Sequence, residues 1–119
     1  MELSVSQESF GDYPVLVVGG EVDVYSAPAL QEKLSTLLES DPRAVIVDLT
    51  EVGFLDSTGL GVLVAARTAA ADAGRSLPIA CHNERILKLF KITGLDAVFA
   101  IHPSVEAAAQ SLAPETPSG

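Results

Sequence analysis

The 119 residues fit one domain on the usual allowance of roughly 100 to 200, with enough chain for a sizeable core and none for a second catalytic domain. Seven basic against 16 acidic residues give a net charge of −9, which speaks against a direct grip on a nucleic-acid backbone. A hydrophobic content of 48% excludes a disordered chain, and aromatics at 5% with no Trp argue against stacking platforms and for an aliphatic core.

Leu3 and Val5 alternate with Ser4 and Ser6; Gly11-Asp12 then breaks the run before Tyr13-Pro14-Val15-Leu16-Val17-Val18. Two consecutive strands around a turn are expected there. Ser26-Ala27-Pro28 offers a capping hydroxyl and an early proline, followed by Leu30, Leu34, Leu37 and Leu38 at helical spacing, with a stop at Asp41-Pro42. Ala44-Val45-Ile46-Val47 is an unbroken apolar run, as in a central strand covered on both faces, so helices are expected on both sides of the sheet. Leu60 through Ala73 reads as a helix largely buried near its start and ended by Gly74. Leu77 through Cys81 reads as a strand with an irregular beginning at Pro78, and Asn83 caps a third helix that runs to Ile92 and ends at Gly94. A final strand is expected over Ala97 to Ile101, then a helix carrying Val105, Ala108, Ala109 and Leu112. Residues 113–119 read as a loose tail, so that the domain spans 1–112.

The order is β-β-α-β-α-β-α-β-α, an α/β domain whose strands after the hairpin are parallel and joined by right-handed crossovers. The carboxyl ends of parallel strands share one edge, where ligands and partners usually meet such folds. Glu21-Val22-Asp23, Leu55 through Gly59, His82-Asn83 and His102 are therefore expected to converge on one rim.

Within that set the segment around Ser57 is the most unusual, because Asp56, Ser57, Thr58, Gly59 and Gly61 crowd the start of an apolar helix. With Asp56 as the N-cap, its carboxylate accepts from a first-turn amide and the Ser57 hydroxyl is left pointing outward. Gly59 and Gly61 each cost about 0.5 to 1 kcal/mol relative to Ala inside a helix, which calls for an offsetting benefit such as close approach by another backbone. Spacing alone leaves open a plainer reading, in which the acid and the serine only cap the helix and the glycines only let it pack.

Phe54-Leu55-Asp56-Ser57-Thr58-Gly59-Leu60-Gly61-Val62-Leu63 resembles the signature of bacterial anti-sigma factor antagonists built on the STAS domain. Gly20-Glu21-Val22-Asp23, Val45-Ile46-Val47-Asp48-Leu49, and Asn83 through Phe90 with Thr93-Gly94-Leu95 resemble the same family in the same order, so that the likeness covers residues 3 to 112. It implies a STAS fold, a four- or five-stranded mixed sheet flanked by helices. It also implies a cycle in which Ser57 is phosphorylated by an anti-sigma factor that is a serine kinase and restored by a phosphatase of the PP2C type. Thr58 would neighbour the phosphosite, and Asp23 matches the loop acid beside it, a candidate contact with the kinase. Asp56, Gly59 and Gly61 complete the expected partner-binding set, with no cofactor and no metal.

Rival chemistries fare worse. A serine hydrolase elbow requires Gly two residues before the nucleophile, where Leu55 stands, and no oriented Asp-His pair is evident beside His82 or His102. An aspartic dyad needs a second carboxylate against Asp56. Gly59-Leu60-Gly61 lacks the P-loop lysine, and Val64 takes the place of the third glycine of a dinucleotide fingerprint. A STAS module serving as a scaffold in a sensory or transporter complex, or one that binds a nucleotide, stays as the alternative. Arg85, Lys88 and Lys91 read as a solvated face of the third helix and Cys81 as a small core residue. One cysteine, no signal peptide and no uninterrupted stretch of about 18 apolar residues lead to the expectation of a cytoplasmic protein without a membrane segment.

Overall fold

The computed structural model describes residues 3–40 and 43–112. The expected tail at 113–119 and the Asp41-Pro42 stop fall outside them. The elements are β1 (Ser4–Phe10), β2 (Tyr13–Val22), α1 (Ala27–Glu39), β3 (Ile46–Leu55), α2 (Ser57–Asp72), β4 (Ile79–Ala80), α3 (Glu84–Ile92), a 3-10 turn (Leu95–Ala97), β5 (Ile101–His102) and α4 (Val105–Leu112). They form a five-stranded sheet in the order β1-β2-β3-β4-β5. β1 and β2 are the expected antiparallel hairpin, closed by Gly11-Asp12 between the pair Phe10 and Tyr13, and every later pairing is parallel.

Alternation along the central strands divides the apolar residues between two layers. Leu16, Val18, Val45, Val47 and Leu49 face a large cluster with Leu30 and Leu34 of α1, Leu60 and Leu63 of α2, and Ile86 and Phe90 of α3. Val15 and Ile46 face a small one, closed by Ala80 with Ala108 and Ala109 of α4. Helices thus cover both faces as expected, three on one side and one on the other. The leucines at positions 30, 34, 37 and 38 are all buried, as their spacing requires.

Several boundaries move, each for a local reason. β3 is not the short run Ala44 to Val47 but ten residues long. Its second half, with Thr50, Glu51 and Gly53, lacks the apolar signal, yet its backbone stays paired to β2 through two register shifts. β4 shrinks to Ile79–Ala80, although Ser76 and Pro78 still accept through their carbonyls from Val45 and Val47, each at 3.0 Å. The strand expected over Ala97 to Ile101 is replaced by the 3-10 turn, and β5 holds only Ile101–His102. Gly94 adopts φ +77, a left-handed conformation that redirects the chain after α3. Phe99 then leaves the ladder and packs edge-on against Phe90, with ring centroids 5.6 Å apart.

Phe90 is 1% exposed and anchors α3 in the larger cluster. Truncating so large a buried ring removes its transfer free energy and leaves a cavity. Phe90→Ala is expected to destabilise the domain by about 3 to 5 kcal/mol, read as a fall in the urea midpoint at unchanged slope.

Candidate functional site

β2 and β3 continue side by side well past the short strands. The β3–β4 pairing ends at Asp48 with Ala80, whereas β2 and β3 stay paired to Val22 with Leu55. At ~3.3 Å per residue, the stretch from Asp48 to Leu55 carries the end of this ribbon about 23 Å beyond β4. The amide of Asp56 then donates to the carbonyl of Val22 at 3.1 Å, one further rung, and α2 starts at Ser57.

Asp56 is extended, with φ −98 and ψ −176, and its carboxylate accepts from the Gly59 amide at 3.0 Å. This is the expected N-cap. Ser57, at the first helical position, and Thr58 are exposed, and among the described residues no hydrogen bond engages the hydroxyl of either. The site therefore presents an unengaged alcohol at the positive end of a 16-residue helix, whose N-terminus favours negative charge.

The loop after β2 lies beside it. Asp23 Oδ1 accepts from the Tyr25 and Ser26 amides, each at 3.0 Å, and from the Ser26 hydroxyl at 3.1 Å. Ser26 is not the side-chain cap of α1 that its position suggests. Its single hydroxyl proton is shared between Asp23 Oδ1 and the Glu21 carbonyl, the latter at 2.9 Å, while the Asp23 carbonyl takes the Ala27 amide at 2.8 Å. The Ser26 amide, first among these donors, holds the Asp23 carboxyl below its ordinary value of 3.8, against an opposing desolvation contribution, with the Tyr25 amide and the Ser26 hydroxyl assisting. Asp23 is thus charged at neutral pH. Its contribution to the loop is present above 3.8 and is lost as pH falls through the lower folded value.

The two glycines separate. A Cβ on Gly59 would lie 2.6 Å from Val22 Cγ1 and 2.6 Å from Leu55 Cδ1, so α2 passes closely over the ends of both strands. The close approach is made by side chains, not by another backbone as expected. Gly61 is exposed, and a Cβ there would meet nothing within 4 Å.

The single rim is only half formed. The ends of β2 and β3 bring Asp23, Asp56 and Ser57 to one tip, but His82 and His102 stay behind at the level of β4. The His82 amide lies 3.4 Å from Thr50 Oγ1, and His102 is paired with Ala80. Asn83 caps α3 through the Arg85 amide at 3.1 Å, and its Nδ2 bonds the Thr50 and Val52 carbonyls at 3.2 and 2.9 Å, which docks α3 on β3. Arg85, Lys88 and Lys91 are exposed and Cys81 is buried, as expected; burial pushes the Cys81 thiol up.

Two cavities lie elsewhere. One of about 230 Å³ lies between α1 and α2, lined by Leu34, Leu38, Val62 and Ala66 among others, and one of about 450 Å³ is lined by Arg67, Val98, His102 and Leu112 among others. Among the described residues no cluster of three His, Cys, Asp or Glu side chains could hold a metal ion, and no helix is long and apolar enough to cross a membrane. Val24 and Tyr25, which no sequence motif above includes, and Phe54, named there only as the first residue of the signature, are 57%, 90% and 49% exposed around the same tip. Their signal was apolar side chains in or beside a loop next to the candidate serine.

Residues 5–108 match the family model of the STAS domain, and the chain belongs to that family. Among characterised relatives it is similar to the anti-sigma-B factor antagonist of Staphylococcus epidermidis, at 36% identity over 106 residues, 89% of this chain and 98% of that protein. Its structure is similar to that of an anti-sigma factor antagonist from Mycobacterium paratuberculosis, with TM-score 0.85 and 26% identity over 92% of this chain and 93% of the other. The same fold occurs in the Bacillus cell fate determinant SpoIIAA, solved in its phosphorylated form, with TM-score 0.66 and 22% identity over 92% and 100% of the two chains.

Methyl groups added at the two glycines should act with opposite sign. Gly59→Ala overpacks Val22 and Leu55 and is expected to cost about 1 to 3 kcal/mol. Gly61→Ala enters open space on a helix and is expected to add about 0.5 to 1 kcal/mol. Paired thermal melts read both.

Proposed function

We propose that this STAS protein is a partner switch operated at Ser57. As an anti-sigma factor antagonist it binds, while unmodified, an anti-sigma factor that is a serine kinase, and a sigma factor is thereby freed. The kinase moves the γ-phosphoryl group of ATP to the Ser57 oxygen, whose proton departs as ADP is released, and the complex comes apart. A phosphatase of the PP2C type hydrolyses the ester and returns the hydroxyl. The cycle runs in the cytoplasm.

The observation that carries this reading is the Ser57 hydroxyl, exposed and unengaged at the first position of α2, with the capping carboxylate already committed to the Gly59 amide. The names of the relatives and the phosphorylated Bacillus structure support it. The helix start tolerates the added charge, with a gain of about 0.3 to 1 kcal/mol at an exposed site, so the fold survives modification. The partner meets the opposite situation. About −1.5 to −2 charges and three acceptor oxygens arrive beside Asp23 and Asp56, where a neutral alcohol had been in contact. Each 1.4 kcal/mol of repulsion and desolvation weakens binding about tenfold, so a few kcal/mol exchange partners without refolding.

Incubated with the cognate kinase and ATP, the protein is expected to gain one phosphate by mass spectrometry, and Ser57→Ala none. Ser57→Asp is expected to bind the kinase at least about tenfold more weakly with its melting midpoint nearly unchanged. A phosphate that persists in Ser57→Ala refutes the assignment.

A further inference from the structure

Among the described residues Tyr25 is the most exposed of the large hydrophobic side chains, at 90%, and its neighbour Val24 is 57% exposed. Neither belongs to a core cluster, yet the backbone beneath them is firmly held. Asp23 Oδ1 takes the Tyr25 and Ser26 amides, and Ser26 Oγ is tied to the Glu21 carbonyl. The loop therefore holds an aromatic ring out into water on a pre-formed turn. Such an arrangement gains nothing in the isolated domain, whereas ordering in advance lowers the cost of association. The loop that carries the ring also starts beside the rung from which the candidate serine's helix begins. Val22 carries the Asp56 amide on its carbonyl, and Tyr25 follows three residues later, at most about 10 Å of chain away.

We infer that Tyr25, flanked by Val24, is the aromatic anchor that holds the anti-sigma factor over Ser57. The inference rests on the partner-switch reading and adds to it the residue that supplies the binding energy. Its occupant is a partner surface with an apolar pocket for the ring, bordered by basic side chains, because the Asp23 carboxylate holds the Tyr25 amide and Asp56 is bonded to Val22 at the start of the same loop, on a chain of net charge −9. Tyrosine suits this task. It buries a large area at the cost of two torsions and keeps a hydroxyl for the wet edge, and such residues dominate binding energy at interfaces. The arrangement divides the labour at the tip: the ring supplies affinity in both states, and Ser57 supplies the charge that opposes it.

The test uses the kinase that phosphorylates the wild-type protein. Tyr25→Ala is expected to weaken its binding about 30-fold or more, Tyr25→Phe to stay within about threefold of wild type, and both to melt with the wild-type midpoint. The loss in Tyr25→Ala should persist at high salt, since it is apolar in origin, while the affinity of the wild-type protein falls. If Tyr25→Ala binds like wild type while Ser57→Asp does not, the anchor is wrong and the switch stands. Should the wild-type protein neither bind nor be phosphorylated by any candidate kinase, the switch fails and the anchor with it. A self-association that Tyr25→Ala abolishes, with kinase affinity intact, would assign the ring to a second copy of the chain and overturn the proposal.

Discussion

Asp56 joins the sheet to the helix that carries the site. Its amide extends the ladder by one rung to the Val22 carbonyl, and its carboxylate, three residues ahead, closes the first turn of α2 on the Gly59 amide. Both bonds are made by one residue in extended conformation, so the direction in which α2 leaves the sheet is set at its first turn. Because Asp56 makes the cap, the Ser57 hydroxyl is not needed for it. Close packing of Gly59 over Val22 and Leu55 acts in the same direction, since no longer side chain fits between the helix start and the strand ends.

The position of this junction depends on the unequal lengths of the strands. β4 and β5 contribute two residues each and serve the compact half of the domain, where α1, α2 and α3 close one face and α4 the other. β2 and β3 outrun them, so Asp23 and Ser57 stand at the far end of the ribbon, apart from the His82 and His102 loops. A surface with an exposed alcohol, hydrogen-bonded carboxylates and an exposed ring suits recognition by a second protein. Val22, Leu55 and Leu60 of the larger core cluster lie directly beneath it, but Ser57 and Thr58 are exposed, so a charge added on Ser57 enters solvent and not the apolar layers.

Much of this was legible because local rules and tertiary packing agree. Leu30, Leu34, Leu37 and Leu38 mark α1 by spacing, Asn83 and Gly94 bracket α3, and Asp56 precedes α2 as a cap must. Where the two levels part, the sequence misleads. Ser26 has the identity and position of a cap, but Pro28 has no amide to offer it, the Ala29 amide bonds the Ser26 carbonyl, and the hydroxyl turns back to the Glu21 carbonyl. The distal half of β3 looks like a loop because its polar and glycine residues carry no period. It is a strand because β2 alongside supplies hydrogen-bond partners whatever the side chains are. Phe99 reads as strand and serves as core, since the Phe90 ring offers it more than an edge position would.

By itself, then, the amino-acid order determined the succession of strands and helices, the aliphatic core, the family, and the serine at a capped helix start, because periodicity, capping and turn chemistry act over a few neighbours. Only the tertiary structure decided that the rim is split, that Gly59 is packed while Gly61 is open, and that Tyr25 stands in solvent on a loop that leaves β2 where Asp56 leaves β3. Those outcomes depend on how far two strands continue after their neighbours stop, and that length is set by pairing between segments some 30 residues apart.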